Sequence, residues 1–121
     1  MGKRIMLVDD AKVVLLKLSR LLTAAGYEIV AVACNATDGI ELYKQNLPDL
    51  VIMDISLPDM EGIEAVKEII QFDPNARIIM CTYMAKKATV IEAVLAGARN
   101  YILKPFDGQK VIDVVSVVID S

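Results

Sequence analysis

The sequence predicts an α/β fold in which one parallel sheet carries helices on both faces. Three observations support this prediction. Four short apolar runs, at residues 5–8, 50–53, 78–81 and 101–103, have the length and composition of buried parallel strands. Helix-length segments separate these runs. Strand and helix patterns alternate five times along the chain, which is typical of a parallel sheet with helical crossovers.

The first half of the chain contains three strands and two helices. We expect these elements, in order, at residues 4–8 (strand), 11–25 (helix), 28–33 (strand), 36–46 (helix) and 50–53 (strand). Gly26 is a natural left-handed stop after the first helix. The second strand alternates only weakly, as expected of an edge strand. Pro48 fits a turn beyond the second helix.

The second half repeats the alternation. We expect, in order, elements at residues 61–72 (helix), 77–81 (strand), 86–96 (helix), 100–103 (strand) and 111–119 (helix). In the first of these, Ile63, Val66 and Ile69 recur at helical spacing. A turn signal follows at residues 73–75, and Gly97 is a stop after the fourth helix.

The prediction of the last helix depends on its polar residues, because its β-branched residues by themselves favour a strand. Lys110, Asp113, Ser116 and Asp120 form one polar stripe at intervals of three and four, and Asp107 can cap the start. Seven residues leave the helix apolar around most of its circumference: Val111, Ile112, Val114, Val115, Val117, Val118 and Ile119. We expect part of this surface to be exposed and to form a homodimer or bind an output partner. The alternative is a helix set unusually deep between its neighbours.

The predicted topology places chemically active residues at one edge of the sheet. Right-handed crossovers put the first and last helices on one face and the other three on the opposite face. The resulting strand order, 2-1-3-4-5, makes the first and third strands neighbours at the centre. Ligands bind beyond the carboxyl ends of such strands. Five residues follow those ends, namely Asp9, Asp10, Asp54, Thr82 and Lys104.

Composition excludes several classes of function. We expect one domain over residues 1–121, since this length provides a sizeable core. No apolar run could span a bilayer, and the start lacks a signal-peptide pattern, so we expect a cytoplasmic protein without membrane contact. Net charge is −3 with scattered basic residues, which indicates no direct nucleic-acid binding. Without histidine there is no His-based triad. Cys34 and Cys81 are expected to be reduced, buried thiols.

The charged residues predict phosphate or metal chemistry. Two carboxylates about 4 Å apart repel each other by roughly 4 kcal/mol at an effective dielectric constant near 20. Either one acid keeps a proton, or a hard cation such as Mg²⁺ offsets the charge. A carboxylate can also attack phosphorus and form an aspartyl-phosphate, with Lys104 and Thr82 binding phosphoryl oxygens. No glycine-rich loop follows the first strand, which argues against a nucleotide cradle.

Four motifs resemble those of two-component response-regulator receiver domains, and the chain is similar to the stand-alone chemotaxis type. These motifs are Leu-Val-Asp-Asp at 7–10, Met-Asp-Ile-Ser-Leu-Pro-Asp-Met-Glu-Gly at 53–62, Ala-Gly-Ala at 96–98 and Lys-Pro-Phe at 104–106. The resemblance covers essentially the whole chain. It implies that Asp54 is the phosphorylation site, and that Asp9, Asp10, Asp54 and the backbone carbonyl of Ser56 hold Mg²⁺.

The resemblance also implies a set of switch residues. Lys104 would contact the phosphoryl group, and the peptide before Pro105 would be cis. Thr82 would move toward the phosphoryl group, and Tyr101 would turn inward to fill the space that Thr82 leaves. Gly62 suits a close approach of the backbone beneath the loop that follows Asp54.

Three positions would modulate the chemistry. The family usually has Ala or Gly after the switch hydroxyl, whereas this chain has Tyr83. We hypothesise that its ring slows phosphorylation by small donors. Ser56 and Met84 occupy positions that tune phosphoryl lifetime in the family.

The implied function is that of a phosphoacceptor switch rather than a metabolic enzyme. A histidine kinase or phosphotransfer protein would phosphorylate Asp54, and the face made by the fourth helix, fifth strand and fifth helix would change its affinity for an output protein or effector domain. The apolar run at residues 13–16 is a weaker candidate for kinase docking. Two alternatives remain open: a pseudo-receiver that binds partners without phosphorylation, and a small Mg²⁺-dependent aspartyl-phosphate phosphatase.

Overall fold

The structure is a computed structural model that describes residues 2–83 and 87–121. Its strands are β1 Arg4–Val8, β2 Glu28–Ala33, β3 Leu50–Asp54, β4 Ile78–Thr82 and β5 Asn100–Leu103. Its helices are α1 Lys12–Ala24, α2 Ala36–Asn46, α3 Gly62–Phe72, α4 Lys87–Ala96 and α5 Gly108–Ile119. These bounds agree with the expected ones to within a residue, except that α5 starts three residues earlier. Met84 and the expected first residue of α4, Lys86, lie outside the described residues.

The five strands form one parallel sheet in the order β2-β1-β3-β4-β5, which confirms the predicted topology. The two central strands are in register from Ile5 beside Leu50 to Val8 beside Met53. The residues that follow Val8 and Met53 therefore leave the sheet at the same edge and next to each other. This register therefore determines where the candidate site forms, because the site contains the residues that follow Val8 and Met53.

Two apolar layers cover the sheet, because successive strand residues point to opposite faces. On β1, Ile5 and Leu7 pack with residues of α1 and α5. Met6 and Val8 pack in the other layer, with residues of α2, α3 and α4. The predicted division of helices between the faces is confirmed. Burial on both faces explains why the strands are continuously apolar rather than alternating.

Helix α5 is more deeply set than the sequence suggested. The Asp107 carboxylate caps it by accepting a hydrogen bond from the Gln109 N–H at 2.9 Å, and the polar stripe faces solvent as expected. Five of its seven β-branched residues are buried, Ile112 is half-buried, and Val117 is 68% exposed. Most of the apolar circumference is covered, because the helix packs among β1, β3, β4, β5 and α1, and the exposed part that the sequence predicts is limited mainly to Val117. The homodimer or output-partner contact of this helix stays a prediction.

Two further expectations from composition can be compared with the structure. Cys81 is buried in β4, but Cys34 is exposed, so the expectation of two buried thiols is wrong for Cys34. The reason is position: Cys34 follows β2, which is an edge strand with solvent on one side. Within the described residues, no helix combines the length and apolar character that crossing a bilayer requires.

Candidate functional site

Three carboxylates meet at the carboxyl ends of the two central strands. Asp9 and Asp10 follow β1, and Asp54 ends β3. One carboxylate oxygen of each lies within 4.8 Å of the others. Asp9 and Asp54 are only 2% and 7% exposed, whereas Asp10 faces solvent. The structure therefore brings together the acids that the sequence placed at one edge, with an opening on the Asp10 side.

Lys104 approaches this cluster from the end of β5. Its backbone N–H donates to the Thr82 carbonyl at 2.7 Å, and its peptide bond to Pro105 is cis, as the sequence analysis expected. The ammonium donates to Oδ2 of Asp9 at 2.7 Å and lies 3.5 Å from Oδ1 of Asp54. The Lys104 side chain is only 3% exposed, so both ion pairs are formed away from bulk water.

Burial and neighbouring charges shift the pKa values of two of these groups. Burial raises the pKa of the Asp54 carboxyl, and the negative charge of Asp9 raises it further, while Lys104 acts in the opposite direction. Burial by itself would lower the pKa of Lys104. The hydrogen bond that Lys104 donates to Asp9 and the charges of Asp54 and Asp9 outweigh burial, so the pKa of Lys104 is raised overall. Lys104 is therefore firmly cationic, and the Asp54 carboxyl has a pKa above that of an ordinary aspartate.

The charge balance of the cluster fits a divalent cation. Three carboxylates and one ammonium leave two uncompensated negative charges when all are ionised. Asp9 is fixed in place, because its Oδ1 accepts from the Ala11 N–H at 2.9 Å while its Oδ2 contacts Lys104. Mg²⁺ prefers carboxylate and carbonyl oxygens with several retained waters. A partly open, oxygen-rich cluster of this charge meets those requirements.

The loop after β3, residues 55–61, closes tightly beneath Asp54; we call it the acceptor loop. The Gly62 N–H donates to the Ile55 carbonyl at 2.6 Å, and Ser56 pairs with Glu61 in an isolated bridge. A Cβ on Gly62 would lie 2.2 Å from the carbonyl oxygen of Asp54, which no side chain could tolerate. Glycine is needed at this position because the loop backbone passes so close to β3.

Three further residues that the sequence indicated lie in or next to β4 and β5. Thr82 is buried at the end of β4. Tyr83 is 69% exposed, yet its ring centroid lies 5.1 Å from the Lys104 ammonium, within the range of a cation–π contact. Tyr101 is 38% exposed and therefore lies on the outer surface rather than inside. The sequence identified all three positions, but it did not predict the contact between Tyr83 and Lys104.

Sequence reasoning also missed Asp59. Its carboxylate, in the acceptor loop, accepts hydrogen bonds from the backbone N–H groups of Ala36 and Thr37 at the start of α2. The sequence carried only a weak signal, an acidic residue after Pro58 in a turn. Nothing in the residues alone says which helix start such a side chain will reach.

The chain belongs to the response regulator receiver domain family, whose family model matches residues 5–116. It is 47% identical over 118 residues to chemotaxis protein CheY of Thermotoga maritima, with 98% of each chain covered. It is also 45% identical to chemotaxis protein CheY of Bacillus subtilis, over 96% of this chain and 97% of that one. The resemblance to receiver domains, and to the chemotaxis type among them, is thereby confirmed.

Solved structures agree with this assignment. A CheY-like receiver domain protein of Methanospirillum hungatei superimposes with a TM-score of 0.93 at 31% identity, covering 99% of this chain and 95% of that one. CheY in a complex with CheX, BeF3 and Mg²⁺ from Borrelia burgdorferi gives a TM-score of 0.92 at 33% identity, covering 95% of this chain and 88% of that one. The fold and the family are thus established by independent comparisons.

Proposed function

We propose that this protein is a phosphoacceptor switch in which Asp54 receives a phosphoryl group from a histidine kinase or phosphotransfer protein. The bond from phosphorus to the partner's histidine nitrogen breaks as a bond from phosphorus to an Asp54 carboxylate oxygen forms. The observation that carries this proposal is the convergence of Asp9, Asp10, Asp54 and Lys104 in one partly buried cluster. The histidine has to come from a partner, because this chain contains none.

Each residue of the cluster has a separate task in the proposed transfer. Asp9, Asp10, Asp54 and the Ser56 backbone carbonyl would hold Mg²⁺, which supplies positive charge against the phosphoryl oxygens. Asp54 is the nucleophile. Lys104, already cationic and close to Asp54, pairs with a phosphoryl oxygen. The Thr82 hydroxyl donates to another, and this chemistry consists of positioning and electrostatics.

The output is a change in partner affinity rather than turnover of a metabolite. Phosphorylation adds about −1.5 to −2 charges at one point. Thr82 and Lys104 respond, Tyr101 turns inward, and the α4–β5–α5 face is remodelled for an output protein or effector domain. Apolar side chains are available for binding there, since Val94 on α4 and Leu103 on β5 are 55% and 46% exposed. A few kcal/mol of differential binding is enough to shift such an equilibrium.

The kinase would dock beside the cluster, on α1. Val13 and Leu16 are 77% and 54% exposed on this helix. A cavity of ≈ 150 Å³ lies between α1 and the β5–α5 loop, and Val13, Tyr83 and Lys104 contribute to its lining. An apolar surface that borders the acceptor allows a partner's phosphohistidine to reach Asp54. The CheY–CheX complex from Borrelia burgdorferi supports binding of partner proteins by this type of domain.

Phosphorylation of Asp54 can be tested directly with a labelled phosphodonor. Wild-type protein is incubated with ³²P-labelled acetyl phosphate or a ³²P-labelled histidine kinase, with Mg²⁺ or with a chelator. We expect one label per chain that is labile in acid and base, requires Mg²⁺, and is absent from Asp54→Asn. Asp49→Asn, a carboxylate at the opposite edge of the sheet, is the matched control and should label normally.

Three other results would redirect the assignment. A protein that folds but never becomes labelled would be a pseudo-receiver that binds partners without phosphorylation. Multiple turnover of a generic phosphoester would instead identify a phosphatase. Labelling that persists in Asp54→Asn would reject Asp54 as the acceptor.

A further inference from the structure

Asp59 joins the acceptor loop to the start of α2. Its Oδ1 accepts from the Ala36 N–H at 2.8 Å, and its Oδ2 accepts from the Thr37 N–H at 2.8 Å and the Thr37 hydroxyl at 2.6 Å. These three contacts span 22 and 23 positions in the sequence. They lower the pKa of Asp59 to about 2, the Thr37 hydroxyl first among the causes. The carboxylate is therefore ionised throughout the neutral range.

The start of α2 provides a suitable anchor for a carboxylate. The first N–H groups of a helix have no acceptor within the helix, and the helix dipole favours negative charge there. Asn35 caps the helix in the usual way, with Oδ1 accepting from the Asp38 N–H at 2.8 Å. The N–H groups of Ala36 and Thr37 are left for Asp59. The loop side chain thus takes the donors that the local cap does not use.

The acceptor loop is short and closed, so an anchor at Asp59 restrains its other residues. Ser56 and Glu61 pair across the loop, and Gly62 closes it onto Ile55. Ser56 is two residues beyond Asp54 in this loop, and its backbone lowers the pKa of the Asp54 carboxyl, which places it next to that group. Asp59 is three residues further along the same loop. Its three hydrogen bonds hold the loop against a helix that packs on the opposite side of β1 and β3 from α1.

We infer that Asp59 is a positioning residue that sets the Mg²⁺ affinity of the site by fixing the acceptor loop, and with it the Ser56 carbonyl, against α2. The inference rests on the proposed Mg²⁺ site. Asp59 does not touch the ion; it acts through the loop backbone. Groups that orient a metal ligand commonly alter affinity when they are removed. Because coupling between two sites is reciprocal, bound Mg²⁺ also stabilises the contacts at the start of α2.

Calorimetric titration with Mg²⁺ tests the inference in three variants. Asp59→Asn keeps the shape of the side chain but weakens its three hydrogen bonds, and we expect the Kd for Mg²⁺ to rise about tenfold. Thr37→Val removes one donor from α2 without altering the loop or any charge, and we expect a rise of roughly threefold. Asp38→Asn removes a charge at the same helix start without touching the loop, and its Kd should stay within about twofold of wild type.

Amide hydrogen exchange gives a second readout, which general stability would not move selectively. Saturating Mg²⁺ should slow exchange at Ala36 and Thr37 in the wild-type protein and should have no such effect in Asp59→Asn. The double variant Asp59→Asn/Thr37→Val should resemble Asp59→Asn, because both changes break the same contact. Thermal unfolding of each variant verifies that it is folded before titration. If Asp59→Asn is not folded, the Thr37→Val variant provides the test instead.

The outcomes separate this inference from the function on which it rests. If wild-type protein binds no Mg²⁺, the proposed metal site fails and the inference fails with it. If wild-type protein binds Mg²⁺ but Asp59→Asn and Thr37→Val bind it equally well, only the inference is overturned. Equal weakening in Asp59→Asn and Asp38→Asn would also overturn it, since loss of charge alone would then explain the effect.

Discussion

At the residue scale, the two buried acids of the site are held differently. Asp9 has both oxygens engaged, by the Ala11 N–H at 2.9 Å and the Lys104 ammonium at 2.7 Å. The nearest oxygen of Asp54 is 3.5 Å from the same ammonium. Asp9 is therefore the fixed anchor of the cluster. Asp54 is the less tightly held carboxylate, which suits its proposed role as the phosphoacceptor.

Removal of the Asp54 charge should stabilise the protein. Like charges about 5 Å apart repel by roughly 3 kcal/mol at a dielectric constant near 20, and Lys104 offsets part of this, so we expect Asp54→Asn to raise the free energy of unfolding by about 1 kcal/mol. Burial and Asp9 raise the pKa of Asp54 above its ordinary value. At pH values above that ordinary pKa, the ionised Asp54 therefore opposes folding. Urea unfolding at neutral pH without Mg²⁺ measures the difference. A less stable Asp54→Asn would contradict this electrostatic account.

Tyr83 should limit access of small phosphodonors to Asp54. Its exposed ring stands 5.1 Å from the Lys104 ammonium, at the border of the site. We expect Tyr83→Ala to be phosphorylated several-fold faster by acetyl phosphate, because the ring no longer covers this border. Tyr83→Phe keeps the ring and is the matched control, which should behave like wild type. An unchanged rate in Tyr83→Ala would reject the idea.

At the scale of elements, α5 illustrates both the reach and the limit of sequence patterns. The spacing of its polar residues correctly predicted a helix, although its valines and isoleucines favour a strand. This was possible because periodicity follows directly from the order of residues. The burial of its apolar side chains could not be predicted in the same way. Coverage of Val114, Val115 and Val118 depends on α1 and the strands, which are distant in the sequence. The pattern therefore predicted the helix but not its surroundings.

The same distinction holds for the candidate site. Asp9, Asp54 and Lys104 could be placed together because each follows a strand, and parallel strands end at one edge. The contact of Asp59 with α2 could not, since it depends on the path of a loop. The contact between Tyr83 and Lys104 depends on side-chain directions. Residues fixed by regular elements were predictable, and those fixed by loops were not.

The tie between the acceptor loop and α2 predicts a specific response to acid. The pKa of Asp59 falls from an ordinary 3.8 to about 2 in the folded protein, the Thr37 hydroxyl first among the causes. A carboxyl group whose pKa is lower in the folded state stabilises the fold at pH values above its pKa in the unfolded chain. This contribution is lost as the pH falls toward the pKa of the folded state. Wild-type protein should therefore be more stable than Asp59→Asn at pH 7, and the gap should narrow below pH 3.8. Urea unfolding of both proteins at several pH values measures the gap; a constant gap would contradict the prediction.

At the scale of the whole molecule, ligands of the site should stabilise the entire fold. The cluster draws on β1, β3 and β5, so a ligand bound there holds three strands together. A ligand at about 100 times its Kd stabilises the folded state by roughly 2.7 kcal/mol. We expect Mg²⁺ to raise the melting temperature, and beryllofluoride with Mg²⁺ to raise it further.

Matched variants define what that melting experiment means. Asp54→Asn should lose the additional increase from beryllofluoride, because the neutral amide offers no anionic carboxylate oxygen for the phosphoryl mimic to join. Asp49→Asn, at the opposite edge, should keep it. Melting temperatures that rise equally in wild type and Asp54→Asn would indicate that these ligands bind elsewhere.

The pairing of Lys104 with Asp9 has a consequence for how the protein is made. The two residues are 95 positions apart, and β3 and β4 separate β1 from β5 in the sheet. A nascent chain on the ribosome therefore carries Asp54 long before it carries the lysine that accompanies it. A chain that ends before residue 104 lacks this ammonium and cannot form its ion pairs with Asp9 and Asp54.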